Sequence, residues 1–127
     1  MSTQQTAKAH WLAENLKAGE IYAGILLGNR GAPDQHIILL PGYEKSIKWV
    51  GAKTWAKKIG GELPTRREQS LLFANIPEEF EPGYYWSSEQ YAGCESSAWF
   101  QRFGDGDQNY YHKNYELRAR AVRRLIL

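Results

Sequence analysis

The sequence predicts one α+β domain in which two helices pack against small antiparallel sheets. Three observations predict it. Apolar residues recur at helical spacing between Ser46 and Ile59. Thr65-Arg66-Arg67-Glu68 has the form of a capping box and opens a second helix. The segments on either side, Ile21 to Leu40 and Tyr84 to the C-terminus, run apolar or alternate, and glycine, proline and aspartate punctuate them as turns between strands. The chain has 127 residues, 43% hydrophobic and 24% charged, which fits one ordinary globular domain.

The elements follow in order. Residues 1–18 read as a polar arm, helical from Ala7 to Leu16, with Ala9, Leu12, Ala13 and Leu16 on one face. So short a helix needs a surface to pack on, either this domain or a neighbouring subunit. The domain itself spans residues 19–127. Ile21 to Leu27 and His36 to Leu40 form a hairpin around the turn-rich Gly28–Asp34. In the helix from Ser46, the Ser46 side chain caps the first turn, and Trp49, Ala52, Ala56 and Ile59 form the apolar face beside Trp55. Lys48, Lys53, Lys57 and Lys58 make its solvated face. Gly60-Gly61 ends it, since glycine accepts the left-handed conformation there. The second helix runs to Ala74, burying Leu71 and Leu72, and an acidic loop follows between Pro77 and Pro82. Tyr84 to Glu89 is a strand centred on Trp86. In Ser97 to Phe103, alternation sends Trp99, Gln101 and Phe103 inward and Phe100 and Arg102 outward. Residues 104–107 turn tightly, Gln108 to His112 returns, and Arg118 to Leu127 is the last strand. Trp49, Trp86 and Trp99 are expected to be buried scaffold.

Four segments stand in a recognisable order: Gly61-Glu62-Leu63-Pro64-Thr65-Arg66-Arg67-Glu68, Tyr85-Trp86-Ser87-Ser88, Ala98-Trp99-Phe100, and Arg118-Ala119-Arg120-Ala121-Val122-Arg123. Together they resemble the Lcl C-terminal-domain family of bacteria and prophages. The Leu-Pro-Thr helix start and the closing Arg-Ala-Val-Arg are also similar to the formylglycine-generating-enzyme branch of the C-type-lectin-like fold. The resemblance covers roughly Trp49 to the C-terminus. It implies a C-type-lectin-like fold with the first and last strands paired, and one exposed face built from the last third. Some family members have that face rewritten by diversity-generating retroelements. The resemblance therefore implies a phage- or prophage-related variable protein, an analogy made at the level of fold.

Little in the chain points to catalysis. The formylglycine-generating enzymes use a reactive cysteine pair, and this chain has only Cys94, so that activity does not carry over. One cysteine also excludes an internal disulfide and suits a reducing compartment. Asp105, Asp107, Asn109 and Glu116 mimic the spacing of a calcium loop, but Tyr110 stands where glycine is required, so a solvated acidic turn is the better reading. Glu81-Pro82-Gly83 approaches a calcium-lectin loop and lacks its third ligand. His10, His36 and His112 are scattered. Ser87-Ser88 lacks nucleophile-elbow glycines, and no phosphate-binding glycine motif occurs. The expectation is no enzyme, no metal and no cofactor. The net charge of +2 does not suggest specific nucleic-acid binding; Arg118, Arg120, Arg123 and Arg124 read as partners for Glu62, Glu68 and Glu116. No apolar run reaches membrane-spanning length, so membrane insertion is not expected, and the polar start reads as lacking a signal peptide. A cytoplasmic or virion-associated location follows as an expectation.

The aromatic content is the feature that points to recognition. Five Trp, eight Tyr and four Phe exceed the needs of such a core, although rings half buried at its edge would read the same way. They concentrate between Tyr91 and Tyr115. Tyr91, Phe100, Arg102, Asp105, Asp107, Asn109, Tyr110 and Tyr111 form the candidate ligand-binding face, with His112, Asn114 and Tyr115 beside them. Tyrosine offers large contact area at low entropic cost, and Asn, Asp and Arg add directional bonds. The competing reading packs Tyr110 and Tyr111 under the last strand. The sequence thus predicts a non-enzymatic binding module for a protein or cell-surface ligand, compatible with a homo-oligomer. The alternative is an intracellular interaction protein that inhibits or recruits a host factor.

Overall fold

In the computed structural model, which describes residues 3–127, the two apolar runs after Glu20 pair as an antiparallel hairpin of β1 (Ile21–Leu26) and β2 (Gln35–Leu39). The chain continues through β3 (Glu44–Ile47), α2 (Trp49–Lys58), α3 (Arg66–Asn75), a short 3₁₀ turn (Pro77–Glu79), β4 (Tyr84–Gln90), β5 (Ser97–Arg102), β6 (Gln108–His112), β7 (Leu117–Ala119) and β8 (Val122–Ile126). A helix α1 (Thr3–Asn15) precedes the hairpin. Among the described residues the architecture is α+β, with three α-helices against two mostly antiparallel sheets. One sheet has the order β1-β2-β8, the other β3-β7-β4-β5-β6. A single parallel contact, Tyr85 with Arg118, joins β4 to β7.

The expected pairing of first and last strands is corrected. β2 lies between β1 and β8. Ile37, Ile38 and Leu39 are fully buried, and a continuous apolar run belongs in the centre of a sheet, covered on both faces. β1, interrupted by a bulge between Tyr22 and Gly24, takes the edge. The single last strand is also corrected. Its two halves serve different sheets, β7 in one and β8 in the other. Ala119 and Ala121 are fully buried where the chain changes sheets, and Leu40 donates to the Ala121 carbonyl at 3.0 Å.

The helix expected from Ser46 begins later. Glu44–Ile47 pairs with β7, so strand hydrogen bonds claim the backbone that a helix would have used. Lys48 stands at the N-cap with no side-chain cap, and Ser46 donates to Glu116 at 3.4 Å. The C-terminus follows the expectation, with Gly60 at φ +93°. The Thr65–Glu68 capping box forms: Thr65 Oγ1 accepts from the Glu68 N–H at 3.2 Å, and Glu68 accepts from the Thr65 N–H at 2.8 Å.

Two apolar clusters result. Trp49, Ala52 and Ala56 of α2 pack on Trp86, Ala98 and Phe100 of the five-stranded sheet. Leu72 of α3 packs on Ile37, Leu39 and Val122 of the other sheet, and on Tyr85 and Phe103. Trp49 and Trp86 donate their ring N–H groups to the carbonyls of Ser87 (2.8 Å) and Ile47 (2.9 Å), so neither ring leaves an unsatisfied donor. Helix α1 docks on its own domain. The Trp11 ring lies 4.2 Å from His36 and 5.3 Å from Tyr22, and Arg123 donates to the Asn15 carbonyl at 2.7 Å. The contact face is corrected too: Ala9 and Ala13 are exposed, while Trp11, Leu12, Asn15 and Leu16 are half-buried. Among the described residues no helix is long and apolar enough to cross a membrane.

Candidate functional site

The β5–β6 ribbon closes one end of the five-stranded sheet, and β6 is its edge strand. The ribbon pairs Ala98 with Tyr111, Trp99 with Tyr110, Phe100 with Asn109 and Gln101 with Gln108. Side chains alternate across a strand, so the predicted residues divide between two faces.

On the α3 side stand Tyr91, Trp99 and Tyr110. The Arg66 guanidinium lies 3.5 Å over the Trp99 ring, a cation–π contact. Tyr91 stacks on Tyr110 with centroids 3.8 Å apart. The Tyr110 hydroxyl beside it raises the Tyr91 pKa above the usual phenol value. A glutamine relay holds this face to the helix. Arg66 donates to Gln108 at 3.0 Å, Gln108 donates to Gln101 at 2.7 Å, and Gln101 donates to the Gln69 carbonyl at 2.9 Å. Gln69 in turn donates to the carbonyls of Tyr85 and Trp86.

On the opposite side stand Tyr84, Phe100, Arg102, Asn109, Tyr111 and Tyr115. Tyr84 stacks on Phe100 at 4.8 Å, Phe100 meets Tyr111 at 5.3 Å, and Tyr111 meets Tyr115 at 4.8 Å. The Arg102 guanidinium lies 5.9 Å from the Tyr84 ring.

The turn that joins the strands positions the two aspartates. Gly106 takes φ +82°, Asp105 accepts from the Asp107 N–H at 3.0 Å, and its carboxylate lies 3.7 Å from Arg102. Asp105 therefore shapes the turn, while Asp107 is exposed. Cys94 is exposed in the loop between β4 and β5, and the Ser96 hydroxyl 3.1 Å from its sulfur lowers the thiol pKa.

Two sequence expectations change here. Phe100 was expected outward and is 6% exposed, while Trp99 was expected inward and is half-buried. The reason is that β5 is covered on both sides, by α3 on one and by the α2 cluster on the other. Alternation assigns residues to faces but does not say which face is wet. Phe100 thus supports the surface from beneath. Tyr110 and Tyr111 do not lie under the last strand; both reach solvent, on opposite sides of β6.

Sequence reasoning missed Arg66, Tyr84 and Gln108. Tyr84 carried a signal, since it is two residues from Trp86 and so shares its face. Nothing in the sequence joins Arg66 to Trp99, because that contact depends on how α3 crosses the sheet. The basic C-terminal run meets carboxylates in part as expected. Arg124 binds Glu62 and Glu68, each at 2.5 Å, whereas Arg123 binds Glu20 at 2.7 Å. Among the described residues no group of three His, Cys, Asp or Glu side chains is placed to hold a metal ion. No family model matches the chain, and no curated protein matches it.

Proposed function

We propose that this chain is a non-enzymatic binding module that grips a protein or cell-surface ligand around the β6 edge. Tyr91 and Tyr110 present one side of the grip, and Arg102, Asn109, Tyr111 and Tyr115 the other. The observation that carries the reading is that exposed rings are held in place before any ligand arrives. Tyr110, Tyr111 and Tyr115 are 42%, 41% and 56% exposed, yet each rests on another ring. Preorganised tyrosines lose little freedom on binding, which is how aromatic paratopes reach useful affinity. The resemblance in the Leu-Pro-Thr, Tyr-Trp-Ser-Ser and Arg-Ala-Val-Arg segments supports a C-type-lectin-like fold and a phage or prophage setting, with a face open to retroelement diversification.

The test is a capture experiment with the purified full chain against intact bacterial cells and cell lysate. Tyr110→Ala, Tyr111→Ala and Arg102→Ala should each abolish capture while thermal unfolding changes little, because hot spots concentrate energy in a few aromatic and Arg side chains. Lys57→Ala, on the far helix, should retain capture. Capture that survives all three substitutions, or no capture by the wild-type chain, refutes the proposal. For diversification, the gene should lie near a partial copy of its 3′ end that differs at adenines.

A further inference from the structure

The opposite edge of the five-stranded sheet carries a second feature, independent of the β6 grip. A cleft of about 360 Å³ opens between β3, β7 and the 3₁₀ turn, within the size range of small-molecule sites. It gathers charges of both signs: Lys45, Arg118 and Arg120 line it together with Glu78, Glu79 and Glu81. Elsewhere in this chain such groups close on each other, as Arg123 does on Glu20 and Arg124 on Glu62 and Glu68. Here, among the described residues, none of the six forms an ion pair.

The fold brings both arginines to the cleft. Arg118 lies directly along Gly83; a Cβ there would come within 2.8 Å of its Nε and push the guanidinium aside. Arg120 donates through Nη1 to the Glu79 carbonyl at 2.7 Å and through Nη2 to the Leu40 carbonyl at 3.0 Å. Its guanidinium sits 5.4 Å from the Phe80 ring. Its Nε is buried and has no hydrogen-bond partner. Burial lowers the Arg120 pKa below the usual arginine value, and the charges of Tyr85 and Glu79 nearby only partly offset it. Arg118 and Arg120 thus line the cleft with no carboxylate within ion-pair distance, although three carboxylates share the same cleft.

The balance of charge selects among ligands. Three cations and three carboxylates sum to zero, so a simple anion gains from one set and is repelled by the other. A molecule with both charges satisfies both sets. The geometry points to a binding site for a small zwitterion of the amino-acid class, its carboxylate on Lys45, Arg118 and Arg120, its ammonium on Glu78, Glu79 and Glu81. Phe80, with Tyr43 exposed at the rim, supplies an apolar wall for the part between the charges.

The test is calorimetric titration of the full chain with the twenty free L-amino acids. At least one should bind with Kd below about 1 mM. Its N-acetylated form keeps only the carboxylate and its amide keeps only the ammonium; each should bind at least about tenfold more weakly, the loss of a single charge-assisted contact. Arg118→Gln, Lys45→Gln and Glu81→Gln should weaken binding by a similar factor with unchanged thermal unfolding. Arg120 is left intact because its carbonyl bonds also hold the fold. Failure of all twenty to bind overturns the site. Equal binding of the singly charged forms, or full affinity in the three variants, overturns the zwitterion assignment. Tyr110→Ala should leave this binding unchanged, which separates the cleft from the β6 grip.

Discussion

Glu68 is the residue on which the structure makes its sharpest stability prediction. Its side chain is 2% exposed and serves two structures at once. One oxygen accepts from the Thr65 N–H at 2.8 Å and from Arg124 Nη2 at 2.8 Å; the other accepts from Arg124 Nε at 2.5 Å. Removing one member of a buried pair costs about 3–5 kcal/mol, because the other charge is left without its partner. Arg124 would not be wholly abandoned, since Glu62 remains at 2.5 Å, although Glu62 is 60% exposed and holds it weakly. Loss of half the capping box adds to the cost, with full caps worth about 1 kcal/mol. Glu68→Ala should therefore destabilise by about 3 kcal/mol, a value at the low end of the buried-pair range. Glu68→Gln keeps an acceptor for Thr65 and should cost less. Glu62→Gln should cost at most about 1 kcal/mol, as exposed pairs do. Urea unfolding followed by tryptophan fluorescence measures all three. A Glu68→Ala loss under about 1 kcal/mol, or Glu62→Gln proving as damaging as Glu68→Ala, would refute the reasoning.

The two tryptophans of the sheet should differ. Trp86→Ala, at a fully buried ring, should cost about 3–5 kcal/mol, and Trp99→Ala, at a half-buried one, clearly less; equal losses in urea melts would contradict the assigned faces. The Glu20 carboxyl is held below the usual carboxylate range chiefly by its hydrogen bond from Arg123. Its contribution is present above its unfolded pKa, about 4.3, and is lost as pH falls through the lower folded value, so Glu20→Gln should flatten the acid limb of melting temperature against pH. Gly106→Ala should destabilise more than Gly60→Ala: both have positive φ, but only at Gly106 does a Cβ meet another group, the Phe73 ring at 2.7 Å. Added calcium should leave the melting temperature unchanged, since an ion that bound the Asp105–Asn109 turn of the folded state alone would raise it.

What could be read from the sequence was local. The capping box, the glycine stop after α2, the β1–β2 hairpin and the bounds of β6 depend on residues within a few positions of one another, and each appears where expected. What could not be read depends on distant neighbours. Ser46 looks like a helix cap until β7 arrives to pair with Glu44–Ile47. Arg118 to Leu127 looks like one strand until β2 and β4 claim its halves separately. The site suffered the same limit. Alternation grouped Phe100 with Arg102 correctly, but the depth of Phe100 is set by Tyr84 and by the α2 cluster, neither near it in sequence.

The position of β6 bears on how such a surface could vary. None of its five residues is buried, and the sheet continues past it on one side only. The cores lie elsewhere, under α2 and α3, and the domain is tied by Trp86, Glu68 and Arg124. A substitution at Asn109, Tyr110 or Tyr111 therefore spares both cores, and at the tyrosines it removes ring contacts worth about 0.5–1.5 kcal/mol each. Gln108 is the exception, because it joins Arg66 to Gln101 and so ties the ribbon to α3. Variation confined to positions 109–111 would reshape the proposed binding edge while leaving both cores intact. Variation reaching Gln108 would loosen the platform on which Trp99 and Arg66 rest.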